Sequence, residues 1–426
     1  MARKKTITVF EHDKLTIKSV PEFTPNIFEQ LVRYHGTNGT PYFSLLHKGV
    51  KFNQYVGVIQ VGETTIEVLP KADRSDADKS IWRNVLISML RMVTSIEVGV
   101  TSKSNLRLSK NSIFDMYIEL FLKECERLTH QSLSKSYRKV TVNQTALRGR
   151  LHIPGQIRNN LIHKERFHAE YSTYDYDHIL NQVMKETLHV LTQLPIRLDL
   201  RSRVKRQTLF FDKVSRQKIS EEKLNLIKLN RKTERYAEAL SIARLILLNY
   251  HPNVSTGTNH ILSLMFDMNQ LWELFVIKVV KRHLSLRYRV ETKKSKVFWS
   301  SAHSRKKLNP DIILEPLSNA GEKIIIDTKW KTPSDLRPSD NDLRQIYAYN
   351  RLFHSSHGIL LYPGENLNIT GQYHTDQQGR CSMLMVNVID SSGNLMKGDA
   401  IARHLKYVLD ETGSMSDSSL KNYETA

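Results

Sequence analysis

Asn309-Pro310-Asp311-Ile312-Ile313-Leu314-Glu315, then after a Ser-Asn-Ala-Gly turn Lys323-Ile324-Ile325-Ile326-Asp327-Thr328-Lys329-Trp330, is the stretch that decides how this 426-residue chain is read. Both aspartates border short runs of β-branched and aliphatic residues, the pattern of buried strands. Side chains alternate along a strand, so Asp327 and Lys329 are expected on one face and Thr328 on the other. A short connection lets the two strands pair and carries Asp311 to the same place. Two carboxylates and an ammonium are then expected in one small volume.

That grouping suits phosphodiester hydrolysis, which needs hard oxygen ligands for a divalent ion, an activated water and positive charge near the scissile phosphate. On this reading Asp311, Asp327 and Lys329 are the catalytic residues. Asp311 and Asp327, with the backbone carbonyl of Thr328, hold Mg2+. Lys329 orients or deprotonates the attacking water and stabilises developing charge.

Working outward, the segment Leu264 to His283 reads as a helix with a broad apolar stripe, and Glu273 at its edge is a candidate further ligand or water contact. After the lysine strand, Pro338-Ser339-Asp340 opens a second helix, with Ser339 and Asp342 in a capping arrangement. Gln345 and Tyr349 share a face of it four residues apart, as supporting residues. From Lys278 to Lys307 there are eleven Lys or Arg and one acid, Glu291, a suitable track for phosphates.

The remainder predicts an α+β multidomain protein. Residues 1–150 form a β-rich domain with helices: Thr6 to Phe10 alternates, and Tyr55–Val61 and Thr64–Leu69 flank Gly62-Glu63 as a hairpin. Helices follow around Trp82–Leu90 and Phe114–Leu122. The chain turns extended between Val140 and Asn160, where Leu147-Arg148-Gly149-Arg150 and Pro154-Gly155 mark turns or close backbone approach. Residues 151–255 form a helical, basic middle region. It includes a helix from about His178 to Leu194 capped by Asp175 or Asp177, and the span Arg197–Arg235 with thirteen Lys or Arg against five acids. That span either faces a phosphate backbone or is solvated helix surface. The Pro252–Asn259 link leads into an α/β domain over 256–410, and a polar tail, 411–426, is expected to be disordered.

Composition narrows the partners. The formal charge of +20 favours a polyanion, with nucleic acid ahead of an anionic membrane. No apolar run is long enough to span a bilayer, and Met1-Ala2-Arg3-Lys4-Lys5 lacks the apolar core of a signal peptide, so a cytoplasmic protein is expected. Cys125 and Cys381 stand far apart without a His at ligand spacing, as small buried hydrophobes. No Gly-x4-Gly-Lys-Ser/Thr loop is present, so the chain carries no recognisable nucleotide motor.

The motif resembles the PD-(D/E)xK signature of restriction-type nucleases, and its Gln-x-x-x-Tyr pair is similar to the RecB-like branch, in which such residues buttress the site and contact DNA. Over nearly its whole length the chain resembles the McrC family, the nuclease subunit of McrBC modification-dependent restriction systems and of related LlaJI-type enzymes. The resemblance rests on Ile66-Glu67-Val68-Leu69-Pro70-Lys71, Leu147-Arg148-Gly149-Arg150, and Pro310-Asp311 with Asp327-Thr328-Lys329. It implies a C-terminal restriction-endonuclease-like domain that cuts double-stranded DNA with Mg2+. It also implies an N-terminal region that docks on a hexameric AAA+ GTPase, McrB, and stimulates it, in phage defence. Two other readings stay open: a stand-alone RecB-like repair or processing nuclease, and a non-catalytic activator of an AAA+ partner.

Overall fold

The computed structural model describes residues 5–36, 39–71, 78–93, 113–251, 261–318, 322–374 and 379–414. In chain order come strands β1 (Lys5–Phe10) and β2 (Lys14–Thr16), helix α1 (Pro25–His35), and strands β3 (Phe43–Leu46), β4 (Gly49–Phe52), β5 (Tyr55–Val61) and β6 (Thr64–Leu69). Helices α2 (Lys79–Val93) and α3 (Ile113–His130) precede β7 (Ser136–Gln144), β8 (Arg150–Leu151), α4 (Ile153–Asn160) and β9 (Phe167–Asp175). Then follow α5 (Ile179–Thr192), α6 (Leu198–Phe210), α7 (Glu221–Asn225), α8 (Ala237–Leu248) and β10 (Tyr250–His251).

The last third holds β11 (Ile261–Asp267), α9 (Met268–Leu284), β12 (Tyr288–Thr292), β13 (Lys296–Ser300), β14 (Arg305–Leu308), β15 (Ile312–Pro316) and β16 (Ile324–Thr328). It continues with α10 (Asp340–Phe353), β17 (His357–Pro363), β18 (Leu367–Gln372), β19 (Arg380–Val386) and α11 (Gly398–Ser414). Among the described residues no helix is long and apolar enough to cross a membrane.

Two compact units emerge, and neither is a single stretch of chain. The first comprises Met1–Thr6, Val58–Ile66 and Lys110–Leu264; the second comprises Ile7–Gly57, Glu67–Ser109 and Met265–Ala426. Contacts and not chain order define a core, so each unit draws on several stretches of the chain.

In the first unit, β7, β9 and β8 form an antiparallel sheet. Gly149, at φ +77°, lies so close to β9 that a Cβ there would sit 2.5 Å from the Glu170 carbonyl oxygen. The expected close approach is real, but the extended reading fails beyond Leu151: residues from Ile153 are helical, started by Pro154 in the first turn and capped by the His152 ring, which accepts from Gly155 N. The cap expected for α5 is also different. His178 takes the N-cap position without a side-chain bond. Asp177 instead accepts from Ser215 N and Oγ and from Gln182, while Asp175 pairs with Arg138.

The predicted hairpin is present. Strands β5 and β6 are neighbours in a sheet ordered β1-β6-β5-β11-β10. Gly62 takes φ 53° at its turn, and the buried Gln60 amide donates to the Gly62 and Thr64 carbonyls, satisfying the turn internally.

The second unit is organised by a six-stranded sheet, order β12-β15-β16-β17-β19-β18. β15 runs antiparallel to β12 and β16, whereas β16, β17 and β19 are mutually parallel. The β16–α10–β17 crossover lays Ile346, Tyr349 and Phe353 of α10 on Ile325, Leu360 and Met383 of the sheet. This contact is close because residue 358 is Gly: a Cβ there would stand 2.4 Å from Ile346 Cγ1. Helix α9 begins later than the sequence suggested. Residues 261–267 form β11, and Asp267 caps α9 by accepting from Asn269 N and Gln270 N. Helix α11 continues to Ser414, four residues into the span expected to be a disordered tail; the rest of that tail and the Pro252–Asn259 link lie outside the described residues.

Candidate functional site

The β15–β16 register pairs Ile312 with Ile326, and carrying it one step further sets Asp311 opposite Asp327 at the end of the ladder. Isoleucines fill the buried positions below, so the polar ends of both strands emerge together at one edge of the core. Asp311 Oδ2 accepts from both the backbone N and the Oγ1 of Thr328, each at 2.7 Å. Thr328 was expected to point away from the site; its hydroxyl in fact turns to Asp311, which fixes that carboxylate against the strand. Among the described residues, Asp311 Oδ1 accepts no bond.

Asp327 is 1% exposed. Its Oδ2 lies 2.7 Å from Lys329 Nζ but takes no hydrogen bond of ordinary geometry. Burial pushes the Asp327 carboxyl up to about 6, with Asp311 adding to the shift and Lys329 opposing it. Lys329 is half-buried, which disfavours its charge, yet Asp327 outweighs that and raises its pKa. The directions agree physically: a nearly dry carboxylate is hard to ionise, and its ammonium neighbour is held protonated by surrounding acids.

Lys329 Nζ also donates to Gln345 Oε1 at 2.8 Å, and Gln345 Nε2 donates to Tyr349 OH at 2.7 Å. The two residues predicted to share a face of α10 thus form a hydrogen-bonded chain that ends on the ammonium. Ser339 caps this helix, accepting from Asp342 N, as its spacing suggested. Glu273, on α9, is driven up to about 7 by burial and by the field of Asp311 and then Asp327, against Lys293. It therefore shares the electrostatic environment of both aspartates, although no three His, Cys, Asp or Glu side chains among the described residues are gathered at metal-ligand spacing.

Asp311 raises both Asp327 and Glu273, so negative charge is crowded here, and the buried Asp327 Oδ2 is faced by the Lys329 ammonium without a hydrogen bond of ordinary geometry. Both features fit a hard cation held by two carboxylates, with its remaining positions filled by water or substrate oxygens.

Sequence reasoning missed a second set of groups. Lys331 Nζ lies 2.6 Å from Asp342 Oδ2, which also accepts from Tyr362 OH at 2.9 Å. Burial works against the Asp342 charge, but these bonds outweigh it and hold the carboxyl below its usual range. The Lys329/Lys331 alternation and the Ser339-x-x-Asp342 spacing were the available signals. Glu11 had none: it stands 319 residues from Trp330, whose Nε1 donates to its Oε1 at 2.8 Å. Lys71 N donates to the same oxygen. Burial lifts Glu11 to about 7, with Asp267 adding to the shift and the two hydrogen bonds opposing it. The Trp330 ring packs against Trp272 and Trp82, and Trp272 precedes Glu273.

The basic stretch 197–235 divides. Arg197, Arg203, Arg206 and Arg216 pair with carboxylates of their own unit. Lys223, Lys228, Lys232 and Arg235 line a cleft of about 990 Å3 with no Asp or Glu in its described wall. Cys125 and Cys381 are free and buried, as expected.

A family model described as McrBC 5-methylcytosine restriction system component matches residues 50–363. No curated protein matches the chain. Among solved structures, a chain of the refined half-complex from the tetradecameric assembly of Thermococcus gammatolerans McrB AAA+ hexamers with bound McrC is 17% identical. It aligns over 95% of this chain and 100% of that one with a TM-score of 0.67, which shows a shared fold. A chain of the cryo-EM structure of the Thermococcus gammatolerans McrBC complex is 19% identical over 66% of this chain and 88% of that one, with a TM-score of 0.47. The family match runs from strand β4 to the end of β17 and takes in every site residue named above except Glu11, so the chain belongs to the family of McrBC 5-methylcytosine restriction system components.

Proposed function

We propose that this protein is the McrC-type subunit of such a system: a Mg2+-dependent DNA endonuclease of the PD-(D/E)xK kind that works with, and stimulates, a hexameric AAA+ GTPase. The observation that carries the reading is the set Asp311, Asp327 and Lys329 at the ends of β15 and β16, with Gln345 and Tyr349 of α10 bonded behind Lys329 and the buried Asp327 Oδ2 facing its ammonium. The partner is proposed from the solved relative, which contains McrB AAA+ hexamers with bound McrC.

Asp311 Oδ1 and Asp327 Oδ2, with the Thr328 carbonyl, would hold the ion, and Glu273 would bind one of its waters. Mg2+ when bound supplies Lewis acidity toward a phosphate oxygen and lowers the pKa of water. Lys329, steered by Gln345, places its ammonium toward the scissile phosphate and the attacking water, stabilising the charge that develops there. Tyr349 fixes the Gln345 amide so that its oxygen, not its nitrogen, faces Lys329.

The reading is tested by combining the purified chain with its AAA+ partner, GTP, Mg2+ and plasmid carrying 5-methylcytosine. Cleavage is expected, with loss on chelation and loss in Asp327→Ala without loss of partner binding. Full cutting by Asp327→Ala would falsify the site. Strong cutting by the chain alone would favour the stand-alone nuclease.

A further inference from the structure

Strands β13 and β14 form a two-stranded hairpin immediately before the catalytic strand: β14 ends at Leu308 and Asp311 follows three residues later. Its composition is unusual for an exposed ribbon. Val297, Phe298 and Trp299 are 45%, 58% and 52% exposed, while Trp82, Trp272 and Trp330 are each buried. Trp299 is thus the one exposed tryptophan of the chain's four. The ladder pairs Val297 with Lys307 and Trp299 with Lys306, leaving Phe298 as a bulged residue with no cross-strand partner. A bulge re-aims a side chain and twists the strand, and bulges concentrate beside active sites.

The base of the hairpin is anchored. Lys296 Nζ donates to the Leu352 carbonyl and stands 5.0 Å over the Phe353 ring at the end of α10. Around the aromatic pair, Arg305, Lys306 and Lys307 have no carboxylate partner among the described residues, and the neighbouring acid, Glu291, is taken by Lys294. A rigidly based ribbon that exposes two large rings amid unpaired cations is complementary to a polyanion with flat apolar faces inside it, which describes DNA. Proteins that bend DNA use such apolar side chains as wedges between base steps, with flanking cations on phosphates.

We propose that Phe298 and Trp299 insert against the bases of the DNA duplex cut at the β15–β16 site, unstacking a step, while Arg305, Lys306 and Lys307 hold the adjacent phosphates. The substrate class rests on the function proposed above. The insertion makes the hairpin a positioning device: gripping a step sets the backbone relative to Asp311, only three residues along the chain.

The test uses the full chain with Ca2+ in place of Mg2+, so that binding is read without cutting, and a 30-base-pair duplex carrying 2-aminopurine. Acrylamide is expected to quench Trp299 in the free protein and much less in the complex, and 2-aminopurine fluorescence is expected to rise as its step unstacks. Phe298→Ser/Trp299→Ser should abolish that rise and weaken binding by about tenfold. Arg305→Glu/Lys306→Glu/Lys307→Glu should lower the slope of log affinity against log salt by about 3. Both variants alter exposed positions, and circular dichroism checks that they fold. Unstacking by a chain that never cuts in Mg2+, even with the AAA+ partner and GTP, would sink the nuclease reading and leave this inference standing. Equal quenching of Trp299 with and without DNA, together with unchanged affinity of the double variant, would overturn the inference alone. Protection of Trp299 by the AAA+ partner and not by DNA would overturn it too.

Discussion

Two hairpins that follow one another in the chain, β13–β14 and β15–β16, put the same kinds of side chain to opposite use. The first is exposed beyond its anchored base, and Arg305, Lys306 and Lys307 keep their charge facing water. The second is threaded through the six-stranded sheet, where Asp327 is almost dry and Lys329 is hemmed in by acids. In water, a charged pair of this kind is worth little; in a buried strand end the same pair controls the protonation of its neighbours. Chemistry in this molecule is therefore expected to be sensitive to isosteric changes in the inner hairpin, and binding to depend on the outer one.

The largest effects should come from the inner hairpin. Lys329→Met should lower the cleavage rate by about 10^3-fold, removing charge stabilisation at the phosphate. It should also destabilise the fold by about 3 kcal/mol, because Asp327 loses its counter-ion while remaining buried. Asp327→Asn should abolish cleavage equally but leave the melting temperature unchanged or higher, since the dry charge itself is gone. Similar stability in both variants would show that Asp327 is hydrated after all and would erase the contrast between the hairpins.

A smaller effect concerns Glu11. Its folded pKa, about 7, lies above the unfolded value, so the group favours folding fully below about pH 4.5 and progressively less as pH rises through 7. Glu11→Gln keeps an oxygen acceptor for Trp330 and Lys71 and has no charge to bury. The variant is expected to be more stable than the parent by about 3 kcal/mol at pH 8, with the difference nearly gone at pH 4.5, as chemical denaturation at the two pH values would show. A constant difference across that range would mean that Glu11 does not titrate in the folded protein.

The smallest effect belongs to the outer hairpin. Phe298→Ser/Trp299→Ser is expected to shift unfolding free energy by no more than about 0.5 kcal/mol, as surface changes do. A loss well above 1 kcal/mol would place these rings in packing the structure does not contain.

What could be read in advance follows the reach of each signal. Asp327-x-Lys329, the Gln345/Tyr349 pair, the Ser339 cap and the β5–β6 turn are all local, and alternation or helical spacing fixes which side chains share a face. The start of α9 was misplaced because Leu264, Met265 and Phe266 suit a strand and a helix equally; only the Asp267 cap separates them. The α5 cap was misassigned because Asp177 is claimed by Ser215, a contact that no local pattern carries. Thr328 defeated simple alternation because it is the last residue of β16, where the backbone leaves the ladder and a hydroxyl is free to turn back. Glu11 was invisible for the same reason in its extreme form.

The Glu11–Trp330 bond also has a consequence in time. A chain growing at 5 to 20 residues per second carries Glu11 for roughly 15 to 60 s before its indole partner is made. Until then Trp330, at the end of the strand bearing the lysine, lacks this buried acceptor, so the proposed site gains its last support only when the earliest and late parts of the polypeptide meet.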